Sequence, residues 1–394
     1  PDKFKDWKER KRWDIVKYHF NNNSYYRSKF LKKSLDTWEK LPVLHKKDLQ
    51  GDIDTLLSSP YKSKNVYVAN TSGSSGHPFY FAKNKECHAL TWAYMKWRYE
   101  SIGISMDDLQ ARFYGMPLDY FSNLKERIKD KALKRIRFPV FDFSEKKLNN
   151  YVKKFKQKEI VYIYGYTNSI VLFCRFLIKN NINLLKICPS LKSVIVTSEV
   201  CTKEDRNIIE TALDIPLYDE YGASEFSYIG YQNSENTWSV SEEMVYVEQG
   251  DNGSILITDL HNKAYPFIRY NIGDLAKVYE YRGQTFIESL KGRENDTVIL
   301  PSGKKAAGLT FYYVSRSILE KSGVLKEFII RQVAIDKFIF DAVTDRSLTN
   351  NEIRDIKLNL DLYLEEGLEL EINRVEKIIR PSSGKIKHFY SEIK

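Results

Sequence analysis

The chain has 394 residues, of which 42% are apolar and 29% charged, with a formal net charge of +10. That length exceeds one ordinary domain, the apolar share excludes wholesale disorder, and no run of 18 uninterrupted apolar residues exists to cross a membrane as a helix. The positive excess suggests nucleic acid, a membrane surface or an anionic substrate as partner.

Residues 4–34 read as one or two amphipathic helices rich in Trp, Tyr and Lys, ended by Pro42. The opening Pro1–Trp7 lacks the apolar core of a signal peptide, so a soluble, cytoplasmic protein with no membrane insertion is expected. A short strand at 65–69 runs into small residues at Thr71–Gly76, and a helix follows near 84–101. Ser144 starts a helix to about Lys156; Leu148, Tyr151, Val152 and Phe155 recur at i, i+3, i+4, i+7 and leave the lysines outside. A strand at 159–164, a turn at Gly165 and a helix at 169–179 come next. Then follow a buried strand at 193–197, a helix opened by Thr202-x-x-Asp205, and a strand at 215–218. This alternation argues an α/β architecture with a largely parallel sheet. Past residue 235 strands dominate, at 254–258, 268–271 and 285–289. After Gly292 come a helix near 309–321, two strands near 326–342, a helix opened by the capping box Thr349-x-x-Glu352 with Gly367 as its C′ residue, and a strand over Leu368–Ile372. We therefore expect a large N-terminal domain over 1–293 and a small α+β domain over 294–394.

The charge is unevenly placed. Residues 1–50 hold a surplus of about seven positive charges and 121–160 about eight, whereas 198–260 hold about fourteen acids against Lys203 and Arg206. The basic blocks fit a nucleic-acid stripe or solvated helix faces. No recognised reader motif accompanies them, and the acidic middle would repel a phosphate backbone, so nucleic acid is not expected as a partner. Cys87, Cys174, Cys188 and Cys201 form no C-x-x-C pair, and the six histidines show no metal-ligand spacing.

Five segments carry candidate chemistry. Thr71-Ser72-Gly73-Ser74-Ser75-Gly76 follows a strand, and its small residues can curl backbone N–H groups round phosphate oxygens, although any flexible loop has this composition. Tyr218–Glu225 puts an aromatic, Gly222, Ser224 and the carboxylate of Glu225 just after a strand, where α/β sheets bind ligands; a polar turn reads the same way. Ile268–Leu275 offers Asp274 at a strand end, suited to ribose hydroxyls. Gly292–Asp296 lies at the expected domain boundary, and Pro381–Lys387 contains Lys385.

In this order the five segments resemble the core motif set of the adenylate-forming enzyme superfamily, which includes acyl-CoA synthetases, luciferases and adenylation domains. Leu41–Leu49, Tyr164–Ser169, Val194–Glu199 and Pro266–Tyr270 are similar to its phenylacetate–CoA ligase branch and the CapK-type relatives. The resemblance spans about residues 10–390. It implies a mixed-sheet large domain, a small mobile C-terminal domain, and AMP-forming activation of a carboxylic acid with ATP and Mg²⁺. Thr71, Ser72, Ser74 and Ser75 would then hold the β- and γ-phosphates. Ser198 and Glu199 would line the adenine side opposite Tyr221 and Gly222. Ser224 would reach the α-phosphate, Glu225 the Mg²⁺, and Asp274 and Arg293 the ribose. Lys385 would bridge carboxylate and α-phosphate. Arg112, Tyr114, Tyr166 and Asn168 would line the acid's pocket, where their polarity favours a hydroxylated or charged acid as readily as phenylacetate. The acceptor stays open between the thiol of CoA and an amine of an amino acid or nucleotide-sugar, the latter suiting surface-polysaccharide synthesis; a catalytically silent relative is the remaining alternative. Three departures matter: Phe79 follows Pro78 where the family has lysine, Asn271 replaces the usual arginine, with Arg269 two residues upstream, and 226–238 lacks the Cys and His of a zinc cluster.

Overall fold

The structure is a computed structural model that describes all residues except 1, 31–36, 72–78, 116–119, 141–142, 233–236, 294–296, 304, 308–323, 380–388 and 394. The expected helix at 309–321 and the lysine segment near 385 lie outside the described residues. The chain divides into two compact units. The first comprises Pro1–Ile272 and Lys277–Ser289; the second takes Gly273–Ala276 and Leu290–Pro381 with the C-terminal residues.

The first unit opens with α1 (Asp2–Asn22), α2 (Ser24–Ser28) and α3 (Ile53–Leu56), followed by the hairpin β1 (Tyr67–Asn70) and β2 (Tyr80–Lys83) and by α4 (Lys85–Ser101). Then come β3 (Gln110–Phe113), α5 (Tyr120–Ala132), β4 (Arg135–Phe138), α6 (Glu145–Gln157), β5 (Tyr162–Tyr166), α7 (Thr167–Lys179), α8 (Leu184–Ile187), β6 (Ser193–Thr197), α9 (Lys203–Leu213) and β7 (Leu217–Tyr221). The strands β8 (Gly230–Gln232), β9 (Trp238–Val240), β10 (Val245–Gln249), β11 (Ser254–Asp259), β12 (Tyr270–Tyr281) and β13 (Gln284–Arg293) complete an 11-stranded sheet of order β10-β11-β12-β13-β9-β8-β7-β6-β5-β3-β4. From β4 through β3, β5 and β6 to β7 the neighbours are parallel, and the β7–β8, β8–β9, β9–β13 and β10–β11 pairs are antiparallel. The sheet is thus mixed, as expected for the large domain.

Side-chain alternation decides the two faces of the parallel half. Ala111, Phe113, Phe138, Ile163, Val194 and Val196 point to one face and pack with Leu148, Tyr151 and Phe155 of α6 and Ile170, Phe173 and Leu177 of α7. The Val, Ile, Leu and Phe side chains among them contribute about 2 kcal/mol each by leaving water. The exposed Lys146, Lys153 and Lys156 form the solvated side of α6, as its periodicity requires. The capping box of α9 is present, with Asp205 N–H bonded to the Thr202 hydroxyl at 3.2 Å and Thr202 N–H to the Asp205 carboxylate at 3.0 Å.

Three local expectations need correction. Gly165 is a strand residue of β5, not a turn: a Cβ there would lie 2.5 Å from the Phe113 carbonyl oxygen on β3, so glycine is needed for close strand approach. Strand β7 runs through Asp219, Glu220 and Tyr221 instead of ending at Tyr218. The last helix, α10 (Asn350–Tyr363), ends with Leu364 as its cap, so Gly367, at φ +86°, belongs to the following turn.

Helix α1 is fastened to distant strands. Lys8 pairs with Glu242 at 2.5 Å and Arg12 donates to the Tyr246 hydroxyl at 2.7 Å. His19 is fully buried; its Nε2 meets the Asn262 carbonyl at 2.8 Å and must donate, so its Nδ1 accepts from Ser58, also at 2.8 Å. Burial pushes His19 down to about 4, which keeps the ring neutral.

The second unit has the hairpin β14 (Thr297–Ile299) and β15 (Lys305–Ala307), and a four-stranded sheet, β18-β17-β16-β19. Its strands are β16 (Leu325–Ala334), β17 (Lys337–Thr344), β18 (Glu369–Arg374) and β19 (Phe389–Ser391). Phe328, Ile330, Phe338 and Phe340 bury against Ile356 and Leu360 of α10. The capping box of this helix closes through Thr349 and Glu352, and Arg346 holds the same carboxylate at 2.8 Å.

Candidate functional site

Ligands of open α/β sheets sit at the carboxyl ends of parallel strands, and several sequence-predicted residues gather there. Tyr221 is the buried last residue of β7. Gly222 opens the turn that follows; a Cβ on it would lie 2.2 Å from the Ser227 carbonyl oxygen. Inside that turn Ser224 is exposed and Glu225 is 7% exposed, its carboxylate accepting from the Tyr270 hydroxyl at 3.3 Å. Ser198 lies exposed after β6 at φ +69°. The Glu199 carboxylate accepts Asn168 N–H at 2.9 Å and its carbonyl accepts the Thr167 hydroxyl at 3.1 Å, which satisfies the start of α7. Tyr166 is buried with its ring 4.2 Å from that of Tyr114, and Tyr114 also stacks on Tyr164 at 5.8 Å.

Thr71 and Phe79 close the base of the Ser/Gly segment. Thr71 N–H donates to the Phe79 carbonyl at 3.0 Å and Phe79 N–H to the Thr71 hydroxyl at 3.2 Å, extending the β1–β2 hairpin. Ser72, Ser74 and Ser75 lie outside the described residues, as does Lys385. Asp274 is an internal residue of β12, not a strand end, because the strand continues past Gly273, whose φ is +81°. Arg293 ends β13. Arg269 does not substitute for the arginine absent at 271: its guanidinium is committed to Glu248 at 2.7 Å and to the carbonyls of Trp38, Glu39 and Leu41 at 2.8–3.3 Å.

The second face of the parallel strands, under α4, encloses a cavity of about 290 Å³ that reaches from Arg112 and Arg135 to Tyr221 and Gly222. Tyr99, Tyr162, Tyr164 and Tyr228 give it aromatic walls, and Glu220 and Gln110 give it polar ones. Of its residues, Glu220, Arg135, Tyr99 and Gln110 are not singled out by local sequence pattern. Glu220 is buried; desolvation raises its carboxyl to about 8 against the pull of Arg98. Lys83, 2% exposed on β2, reaches the Ser227 hydroxyl at 3.4 Å and so links the hairpin to the turn holding Glu225.

Among the described residues no three His, Cys, Asp or Glu side chains cluster to hold a metal. A Mg²⁺ that arrives with nucleotide needs only one or two carboxylates besides phosphate oxygens, so a hard, buried carboxylate such as Glu225 fits that ion. Among the described residues no helix is long and apolar enough to cross a membrane, and all four cysteines are free thiols.

Asp219, next to Glu220 but directed to the other face, is 4% exposed with Oδ2 lacking a hydrogen-bond partner. Burial raises its carboxyl from 3.8 to about 7, opposed by Arg206. Between those values the folded state keeps a proton that the unfolded state has lost. Stability therefore falls as pH rises through that window, by about 1.4 kcal/mol per unit at most. Asp219→Asn removes the charge, so its advantage over wild type should be near zero at pH 4 and reach a few kcal/mol at pH 8. Denaturation midpoints at the two pH values measure this; a gap that does not widen with pH contradicts it.

No protein-family profile matches the chain. It is 23% identical over 410 residues to Protein CapK of Staphylococcus aureus, covering 98% of this chain and 89% of that protein. Its fold is similar to 2-hydroxyisobutyryl-CoA ligase in complex with an acyl-AMP, at a TM-score of 0.71 and 18% identity over 97% of this chain and 88% of that one. It is also similar to the acyl acid amido synthetase GH3.15, at a TM-score of 0.60 and 13% identity over 92% and 85%. The chain therefore has the fold of the AMP-forming ligases and resembles CapK along nearly its whole length.

Proposed function

We propose that the chain is an AMP-forming carboxylate ligase. The observation that carries this is the cavity ending at Tyr221 and Gly222, with the buried Glu225 carboxylate in the turn beyond. An acid in the cavity would present its carboxylate where Ser224 and Glu225 meet the nucleotide. One carboxylate oxygen attacks the α-phosphorus of ATP, the bond to the bridging oxygen breaks, and pyrophosphate leaves. A thiol or amine then attacks the acyl carbon of the adenylate, AMP departs, and the acceptor loses its proton.

In this reading Thr71, Ser72, Ser74 and Ser75 hold the β- and γ-phosphates. Ser198 and Glu199 face the adenine opposite Tyr221, and Asp274 and Arg293 hold the ribose. Glu225 would hold Mg²⁺, which offsets phosphate charge when bound. Lys385, from a lid domain over 294–394, bridges carboxylate and α-phosphate. Arg112, Tyr114, Tyr166 and Asn168 serve the acid. Structural neighbours include both a CoA ligase and an amido synthetase, so the acceptor is either CoA or an amine, the latter in keeping with a role in surface-polysaccharide synthesis.

The test is pyrophosphate release by the full chain with ATP and Mg²⁺ across a panel of carboxylic acids, repeated with CoA and with amino acids and amino sugars. At least one acid should release pyrophosphate at a rate well above the acid-free control. Silence across a panel of aryl, alkyl, hydroxy and dicarboxylic acids would count against a ligase and for a catalytically silent relative.

A further inference from the structure

Three arginines share one face of the two outermost parallel strands, and among the described residues only Arg137 is paired with carboxylates. In the register of β3 with β4, Arg112 lies opposite Arg137 and Gln110 opposite Arg135. Arg137 is held by Asp130 at 2.7 Å and by Glu126 at 2.9 Å, the usual arrangement for a buried guanidinium. Arg112 and Arg135 have no carboxylate within ion-pair distance among the described residues. Arg112 makes one long hydrogen bond, 3.3 Å to the Gln110 side chain, and lies over the rings of Tyr114 at 4.1 Å and Tyr164 at 5.1 Å; its Nε is buried without a partner. Arg135 is half-buried, and its guanidinium is depressed by desolvation and then by the neighbouring charge of Arg112, with Asp130 acting on it from a distance. Both line the cavity. The cavity's own acid, Glu220, forms no ion pair with either of them among the described residues, and desolvation raises its carboxyl to about 8.

Two like charges held together in a partly desolvated aromatic pocket are stabilised by an anion that enters it, and guanidinium forks match carboxylates. The pair sits at the end of the cavity opposite Tyr221 and Gly222, where the proposed reacting carboxylate would lie. We infer that the Arg112–Arg135 pair binds a second carboxylate, so that the acid accepted by this protein is a dicarboxylic acid. This rests on the ligase reading above and goes past it in naming the substrate class.

The test uses acids matched in skeleton: glutarate against valerate, and isophthalate against benzoate. In the full chain with ATP and Mg²⁺, the dicarboxylate of at least one pair should show a kcat/KM for pyrophosphate release about tenfold or more above its monocarboxylate, as charge-assisted hydrogen bonds imply. Arg112→Gln and Arg135→Gln should each collapse that ratio towards one, and Arg135→Lys, which keeps charge without the fork, should leave an intermediate ratio. A wild-type ratio of one or below, or a ratio that the arginine variants do not change, overturns the inference. Calorimetric binding of isophthalate and benzoate without ATP separates the two readings. If no acid releases pyrophosphate, the ligase reading fails, and preferential isophthalate binding that is lost in both glutamine variants still supports the arginine pair. Equal binding of the two acids, or of isophthalate by wild type and variants, overturns it.

Discussion

Gly222→Ala should reduce pyrophosphate release at least about a hundredfold and lower stability by about 3 kcal/mol, the upper part of the range for a residue forced into filled space. The new methyl carbon would lie 2.2 Å from the carbonyl oxygen of Ser227 and 3.3 Å from its carbonyl carbon. Both are backbone atoms, so no rotamer change relieves the contact. The turn must open, and it is tightly closed: Ser227 N–H donates to Ala223 at 2.6 Å and Ile229 N–H to Tyr221 at 2.9 Å. Ser227 already has φ +68°. Displacing it shifts Glu225 away from Tyr270 and breaks the contact to Lys83. Gly51→Ala is the control, because its Cβ would meet nothing closer than 3.8 Å. Urea denaturation and the pyrophosphate assay on both variants decide the matter; a Gly222→Ala protein with activity within threefold of wild type contradicts it.

Lys385→Ala should lower adenylate formation by about two to three orders of magnitude, the usual consequence of removing one preorganised group that meets developing charge. The proposed transition state accumulates negative charge on the α-phosphoryl group as the acid's oxygen arrives and pyrophosphate leaves. An ammonium that bridges those oxygens is needed in that step and in no later one. The same variant should therefore still transfer the acyl group from a supplied acyl-adenylate to the acceptor. Single-turnover assays of the two half-reactions provide the check. Equal loss in both halves, or pyrophosphate release near wild type, removes Lys385 from the assigned role.

The parallel half of the fold is legible in the sequence because local periodicity suffices there. Ser193–Thr197 centres on the apolar run Val194–Val196 and all five of its residues are buried, and the spacing of Leu148, Tyr151 and Phe155 marks the buried side of α6. The cavity is another matter. Gln110, Arg135, Tyr162, Thr197 and Glu220 come from five strands and meet only through cross-strand register, which no local window encodes. The basic block over 121–160 shows the difficulty. Lys146, Lys153 and Lys156 of α6 are solvated, Arg137 is ion-paired, and Arg135 turns into the cavity. One stretch of like charge thus has three fates. Asp274 shows a related effect: it follows a glycine at φ +81°, yet β12 continues through both residues, so its place inside the strand follows from pairing.

The fastening of α1 has a consequence for biosynthesis. Lys8 waits for a partner 234 residues away and His19 for one 243 residues away. At about 5–20 residues per second, the ribosome delivers those partners only about 10–50 s after the helix emerges. For that interval a helix rich in Trp, Tyr and Lys has formed no native contact with the strands that will cover it. Helix α1 therefore completes its packing only after residues 234 and 243 positions downstream are made, and nascent-chain proteolysis should find it protected only once Asn262 has left the exit tunnel.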